Sequence, residues 1–268
     1  MRVGIVFNPT IPGAQHESTL LEQYLRLRGA EIAFVRPVNE IPDIGCDTLM
    51  VMGGDGSMLQ VAHWLAETGI PALGIKQGRL GFLMAYGIDE YEVAIDALVQ
   101  GKLQKIQANM LEVLFSNGKR RYALNDFVLE RFSNHRTIEV EVQTNEGDLV
   151  FLGDGVVVSS PIGSTAYNLA AGGAVVCPTL KIIQITPLNP HGVMRTSVLL
   201  PGDSSISLRV LRGTGKAVFD GISAVEIREG FSARVRFSSK VVTLLKSEKH
   251  RFFEVLKAKF SFGKSRMD

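Results

Sequence analysis

A chain of 268 residues with 46% hydrophobic content can fill a sizeable core and has room for one large domain or two modest ones. Its charges nearly cancel, leaving +2, so no global basic field exists to hold nucleic acid or an anionic membrane, and phosphate recognition has to be local. No segment carries the roughly 18 uninterrupted apolar residues of a membrane span, and Met1 to Pro9 reads as a strand and turn without the apolar stretch and cleavage site of a signal peptide.

Val3 to Phe7 reads as a strand, followed by an amphipathic helix from about His16 to Arg28 closed by Gly29. Strands follow at Ile32 to Val35, Thr48 to Met52 and Ala72 to Ile75, with helices at Ser57 to Glu67 and around Glu90 to Val99. Alternation of this kind predicts crossover connections and a mostly parallel sheet. After about Lys102 helical periodicity stops. Short β-branched or alternating runs take over at Glu112 to Phe115, Phe127 to Leu129, Ile138 to Val142, Gly155 to Val158 and Ile182 to Thr186, then at Ile206 to Val210, Val225 to Ile227, Val235 to Phe237 and Val241 to Leu245. They predict a β-sandwich or related all-β domain. One helix-sized interruption, roughly Ser164 to Ala171, lies inside it, and His250 to Lys259 returns to helical spacing. Cys46 and Cys177 have no metal-ligand spacing; both read as buried small apolar residues, and two thiols in this length suit a reducing compartment. The expectation is a cytoplasmic protein.

The strongest local signal is Val51-Met52-Gly53-Gly54-Asp55-Gly56-Ser57, where a buried strand ends and a helix begins. Glycines let the backbone turn sharply and approach a ligand, and a helix start attracts phosphate. A capping turn would also place an aspartate there, but three glycines around one carboxylate exceed what a cap requires. The dehydrogenase fingerprint fails, because Leu59 stands where its third glycine belongs. A Walker A loop fails at Gly213-Thr214-Gly215-Lys216, since Ala217 follows the lysine; this segment reads as a hairpin turn. A second glycine-rich turn, Gly74 to Phe82, follows the next strand and should lie beside the first loop. Two further polar constellations fall in the β-rich part: Asn125-Asp126, and the run from Gly153 to Gly173, whose Ser, Thr, Tyr and Asn could meet a base or amide.

Taken in order, the GGDG loop at Gly53 to Gly56, the LGF turn at Leu80 to Phe82, Asn125-Asp126, the GSTAYNLAAGG run at Gly163 to Gly173, Thr186 to His191, Asp220-Gly221 and the helix at Phe252 to Phe260 resemble the NAD kinase family over essentially the whole chain. The resemblance implies an α/β N-terminal domain with a mostly parallel sheet over residues 1–103, an all-β sandwich domain over 104–248 that binds NAD, and a C-terminal segment, 249–268, packing back on the first domain. NAD would lie between the two domains. It further implies transfer of the terminal phosphoryl group of ATP or polyphosphate to the 2′-hydroxyl of the adenosine ribose of NAD. Asp55 would be the general base, with Gly56 beside it. Gly53, Gly54, Gly56 and Lys76 would face the phosphate donor, and Phe82 the adenosine. Asn125 and Asp126 would hold ribose and base, and Asp154 would lie near the nicotinamide amide. Thr165, Ala166, Tyr167, Asn168, Leu169 and Ala170 would surround base and amide, with Pro187 and Arg136 completing the NAD site.

Four departures stand against the family pattern: Lys76 in place of an asparagine, Ile162 in place of Ser or Thr, Leu152 in place of a basic residue, and Ile222 in place of a glutamine. Mg²⁺ or another divalent cation is expected as cofactor, held mainly by donor phosphates, and no protein metal ligand is named. The partners are small molecules, with no nucleic acid and no membrane, and the family implies a homodimer or homotetramer. The rival readings are a lipid or sugar kinase sharing the GGDG loop and a noncatalytic dinucleotide-binding regulator.

Overall fold

The computed structural model describes residues 1–78, 81–133, 136–192, 195–248 and 251–261. Contacts divide the chain into two compact units, Met1–Gln107 together with the chain from Val242 onward, and Ala108–Val241.

The first unit opens as β1 (Arg2–Phe7), α1 (Ala14–Leu27), β2 (Glu31–Pro37), β3 (Thr48–Gly53), α2 (Asp55–Thr68), β4 (Ala72–Lys76), the two-residue β5 (Tyr86–Gly87) and α3 (Tyr91–Val99). Its strands run parallel, in the order β4, β3, β1, β2. The apolar runs explain that arrangement: every residue of β3 is buried, as expected for a strand covered on both faces. Val3, Ile5, Met50, Met52, Leu73 and Ile75 meet Leu21 and Leu25 of α1 and Ile95 and Leu98 of α3 in one core.

The second unit contains most of β6 (Gln104–Phe115), β7 (Arg120–Ala123), β8 (Asp126–Arg131), β9 (Ile138–Thr144), β10 (Gly147–Gly153), β11 (Gly155–Ser159), the single-turn α4 (Tyr167–Ala170), β12 (Ile182–Leu188), β13 (Val198–Pro201), β14 (Ile206–Arg212), β15 (Thr214–Phe219), β16 (Ser223–Arg228) and most of β17 (Ser232–Lys246). One layer is the antiparallel order β10, β9, β14, β17, with β6 and β7 continuing from β17. The other is antiparallel β13, β12, β11, β8, β15, β16. Alternate residues of both layers, among them Val140, Val142, Leu208 and Val210 against Leu129, Val156, Val158 and Ile185, form one core, which makes the unit the expected sandwich. The last residues of β17 belong to the first unit, where Leu244 and Leu245 pair in parallel with Ala72 and Leu73 of β4, and α5 (Phe252–Phe260) follows.

Three local expectations are corrected. The helix expected over Ser164 to Ala171 is instead a 3₁₀ turn, Gly163–Thr165, and then α4. Ser164 Oγ donates to the Pro161 carbonyl at 2.7 Å and Thr165 Oγ1 to that of Ile162 at 3.4 Å, local bonds that compete with helix formation. The segment from Gly213 is no hairpin: Arg212 ends β14, Gly213 alone links it onward, and Thr214 starts β15 in the other layer. Both cysteines are half-buried rather than buried.

Candidate functional site

The chain leaves β1 to form β2 on one side and then β3 on the other, so the crevice between the carboxyl ends of β1 and β3 is a topological switch point, where open parallel sheets bind ligands. The Gly53 to Gly56 loop emerges there. Gly53 has φ 144°, and a Cβ on it would fall 2.3 Å from Ser57 Oγ and 3.2 Å from Asn8 Cβ, so no other residue fits without displacing both. The Gly54 amide donates to Ser57 Oγ at 3.3 Å, which ties the loop to the first turn of α2. Lys76, at the carboxyl end of the neighbouring β4, holds its Nζ 2.8 Å from the place a Gly54 side chain would occupy. A helix start, with its outward N–H groups, and an ammonium thus serve one small region.

Asp55 begins α2 and accepts hydrogen bonds from the Phe82 amide at 3.1 Å, the Leu83 amide at 3.0 Å and Lys259 Nζ at 3.2 Å. Burial pushes the carboxyl up. The Lys259 charge and these hydrogen bonds outweigh burial and hold Asp55 below the ordinary carboxylate range. Lys246, buried at the end of β17, donates to the Phe82 carbonyl at 2.6 Å; burial lowers it to about 7, opposed by the charge of Asp55. The Phe82 ring stacks on Phe260 of α5 at 5.8 Å and lies 6.2 Å from the Phe252 ring.

In the sandwich unit, Asn125 and Asp126 are both buried. Asp220 accepts from the amides of Leu124, Asn125 and Asp126 at 2.8, 2.7 and 3.1 Å, clamping the start of β8. From the other side the Ser160 amide and Ser159 Oγ donate to the Asn125 carbonyl, and Ser160 Oγ to that of Leu124. A Cβ on Gly163 would lie 2.0 Å from the Asn125 carbonyl oxygen, so the Asn125 turn and the Gly163 run sit back to back. Burial, then the Asp220 charge, raises Asp126 to about 7.

A pocket of about 420 Å³ opens in the same unit, with Asp154, Tyr167 and Ala170 in its wall beside Glu130, Arg131 and Lys216. Arg131 Nε donates to Asp154 Oδ1, and Asn189 Nδ2 to Oδ2 at 2.8 Å. These bonds, Arg131 first, hold the Asp154 carboxyl below its ordinary value. Lys216 pairs with Glu130 at 3.0 Å, and the Tyr167 hydroxyl donates to the same carboxylate at 3.4 Å.

Placement separates the sequence expectations into groups. Gly53, Gly54, Asp55, Gly56, Lys76 and Phe82 all belong to the first unit, the rest to the second. Thr165 and Asn168 are buried and half-buried Ala166 lies between them; the Thr186 hydroxyl donates to Asn168 Oδ1 at 2.6 Å, so Asn168 also braces the turn. Pro187 is buried in β12 opposite Val156, and Leu169 is half-buried. Arg136 is exposed and outside the pocket lining, and Arg131 is the cation on Asp154. Arg131 and Lys246 carried no sequence signal, and Lys259 was read only as part of the Phe252 to Phe260 helix and not as a site residue; Arg131 is one more charge in a strand, and the two lysines lie about 190 and 204 residues from Asp55. Among the described residues no three His, Cys, Asp or Glu side chains gather as metal ligands, and Asp55 is already bonded to two amides and Lys259. The side chains do not fit a protein-built cation cage.

A carboxylate kept ionised beside phosphate-attracting backbone is what a hydroxyl acceptor asks of a phosphotransferase, and to that class this fold and loop belong. The family model described as the ATP-NAD kinase N-terminal domain matches residues 14–103, and that of the ATP-NAD kinase C-terminal domain residues 124–247. NAD kinases of Sulfurimonas denitrificans and Heliobacterium modesticaldum are each 31% identical, over 98% of this chain and 97% and 99% of theirs. The chain belongs to the NAD kinase family, phosphotransferases that phosphorylate NAD at a hydroxyl group. In fold it resembles the yeast NADH kinase solved with NADH (TM-score 0.84, 20% identity, 100% of this chain and 90% of that one). It also resembles the Archaeoglobus fulgidus NAD kinase solved with ATP (TM-score 0.80, 23% identity, 96% and 99%).

Proposed function

We propose that the protein transfers the terminal phosphoryl group of ATP to the 2′-hydroxyl of the adenosine ribose of NAD, with Asp55 as general base. The observation that carries this is a single carboxylate, held ionised by Lys259 and two amides, at the start of α2 within the glycine loop. A ribose hydroxyl is a weak nucleophile at neutral pH, and a carboxylate within hydrogen-bond reach accepts its proton as the bond to phosphorus forms. The 2′ oxygen bonds to the terminal phosphorus, the bond from that phosphorus to the bridging oxygen breaks, and ADP leaves.

The Gly53 to Gly56 backbone and Lys76 meet donor phosphates, the latter as a point charge beside Gly54. Asn125 and Asp126 take the acceptor's ribose and base, Asp154 and Tyr167 its amide end. A divalent cation bound to the donor phosphates supplies charge neutralisation. Polyphosphate could replace ATP at the same loop, because its recognition needs phosphates alone. Assembly as a homodimer or homotetramer and a cytoplasmic location complete the reading; among the described residues no helix is long and apolar enough to cross a membrane.

The test is Asp55→Asn, which keeps the shape of the side chain and removes its capacity to take a proton. NADP formation should fall by more than about 100-fold, while calorimetric NAD affinity stays near that of the parent. Turnover within roughly tenfold of the parent would remove Asp55 as the base.

A further inference from the structure

The two oxygens of Asp55 offer about four lone-pair positions. Oδ2 accepts from both the Phe82 amide and Lys259 Nζ, and Oδ1 from the Leu83 amide. Lys259 reaches the carboxylate from α5, with its Nζ 4.9 Å from the Phe82 ring centroid and 5.7 Å from that of Phe260. Phe260 stacks on Phe82, and Val255 and Leu256 of the same helix are buried. The ammonium is therefore delivered by a packed element and not by a free tail.

We propose that Lys259 is a positioning residue for phosphoryl transfer: by occupying the second lone pair of Oδ2 it fixes the carboxylate against the loop and leaves Oδ1 as the oxygen a ribose hydroxyl addresses. This rests on the reading of Asp55 as the base. A base with both oxygens open would accept the hydroxyl in several poses, and only one of them aligns the 2′ oxygen with the terminal phosphorus. A second consequence is electrostatic. The groups facing Asp55 are Lys259 from α5, Lys246 from β17 and the amides of Phe82 and Leu83, with Lys76 of β4 beside Gly54. Lys259 is the largest influence favouring the charged carboxylate, so removing it shifts Asp55 towards its protonated, inactive form.

The test uses the full-length protein with NAD, ATP and Mg²⁺. Lys259→Met keeps an unbranched stem over the aromatic rings and deletes the charge. The expected result is a kcat lowered about tenfold, the value of one charge-assisted hydrogen bond, with both KM values within about twofold. The acid limb of the kcat/KM profile should move to higher pH. Lys259→Arg should restore both, and Lys246→Met, measured in parallel, separates the titration of the buried lysine from that of the carboxylate. A readout free of turnover is the pH titration of the Asp55 carboxyl by ¹³C NMR, assigned by its disappearance in Asp55→Asn; its midpoint should rise in Lys259→Met. Should that variant not fold, Lys259→Gln takes its place with the same readings. An unmoved NMR midpoint and acid limb, or a change confined to KM, would overturn the proposal. If instead Asp55→Asn turns over normally, the base reading is what has failed, and the NMR midpoint still decides whether Lys259 governs the Asp55 carboxyl.

Discussion

Asp126 and Asp220 are two carboxyls buried side by side, and the strain between them is measurable. Asp126 is raised to about 7 by burial and by the Asp220 charge. Its folded value exceeds its unfolded value near 4, so the native state binds the extra proton between those limits. The stabilising contribution is complete below about pH 4 and is lost as pH rises through 7. Asp126→Asn abolishes that loss. Its Tm should exceed that of the parent at pH 8, by about 3 °C for each kcal/mol, and converge with it towards pH 4.5. Parallel thermal scans decide the matter, a gap independent of pH being the unfavourable result. The same substitution removes an anionic acceptor proposed for the ribose, so NAD should bind about 10- to 100-fold more weakly while ATP is unaffected. Stability and affinity would move in opposite directions, as is common where a buried charge serves binding.

At the scale of elements, the contact between the Gly163 turn and the Asn125 turn admits no side chain. Gly163→Ala places a methyl group 2.0 Å from a carbonyl oxygen with two buried partners. The turn must move, at a cost of about 2 kcal/mol or more, visible as a lower urea midpoint and weakened NAD binding. Arg131→Met removes the side-chain donor to Asp154 Oδ1 and should raise the apparent KM for NAD severalfold with little change in that for ATP; equal changes in both would place its role in folding. The GGDG loop, the alternating α/β pattern and the Gly163 run were legible because they rest on local spacing. β7, β10 and β13 were not read from the sequence, since β10 and β13 are edge strands and β7 and β10 are largely exposed, without the apolar alternation that marks a half-buried strand, and β15 was missed because its Gly213-Thr214-Gly215 opening reads as a turn. Arg131 lay beyond reach for a different reason: its partner Asp154 is 23 residues away, and only the pairing of β8 with β11 brings the two together.

At the scale of the molecule, the proposed donor groups lie in the first unit, whereas the proposed acceptor groups lie in both, Asp55 and Phe82 in the first and Asn125, Asp126 and the Gly163 run in the second, which makes each ligand's footprint testable. In hydrogen exchange, ATP alone should protect residues 53–57 and 76–78 and leave 124–126 and 163–170 unchanged, whereas NAD alone should protect 124–126 and 163–170; protection of those two segments by ATP would contradict the assignment. The first unit is also discontinuous in sequence. A chain ended at residue 241 loses buried Leu244, Leu245, Val255 and Leu256, about 8 kcal/mol of apolar burial at roughly 2 kcal/mol each, which rivals the stability of a whole domain. Such a chain should show no cooperative melting of the first unit and no NADP formation, and retention of either would show the C-terminal segment to be dispensable. The return of the chain through β17 also matters on the ribosome. Asp55 emerges early, yet the lysine bonded to it follows 204 residues later, so every nascent chain short of that point carries the Gly53 to Gly56 loop with Asp55 not yet paired to Lys259. Synthesis from the amino end thereby acts as a timer: Asp55 acquires its Lys259 partner only after the sandwich unit has been made.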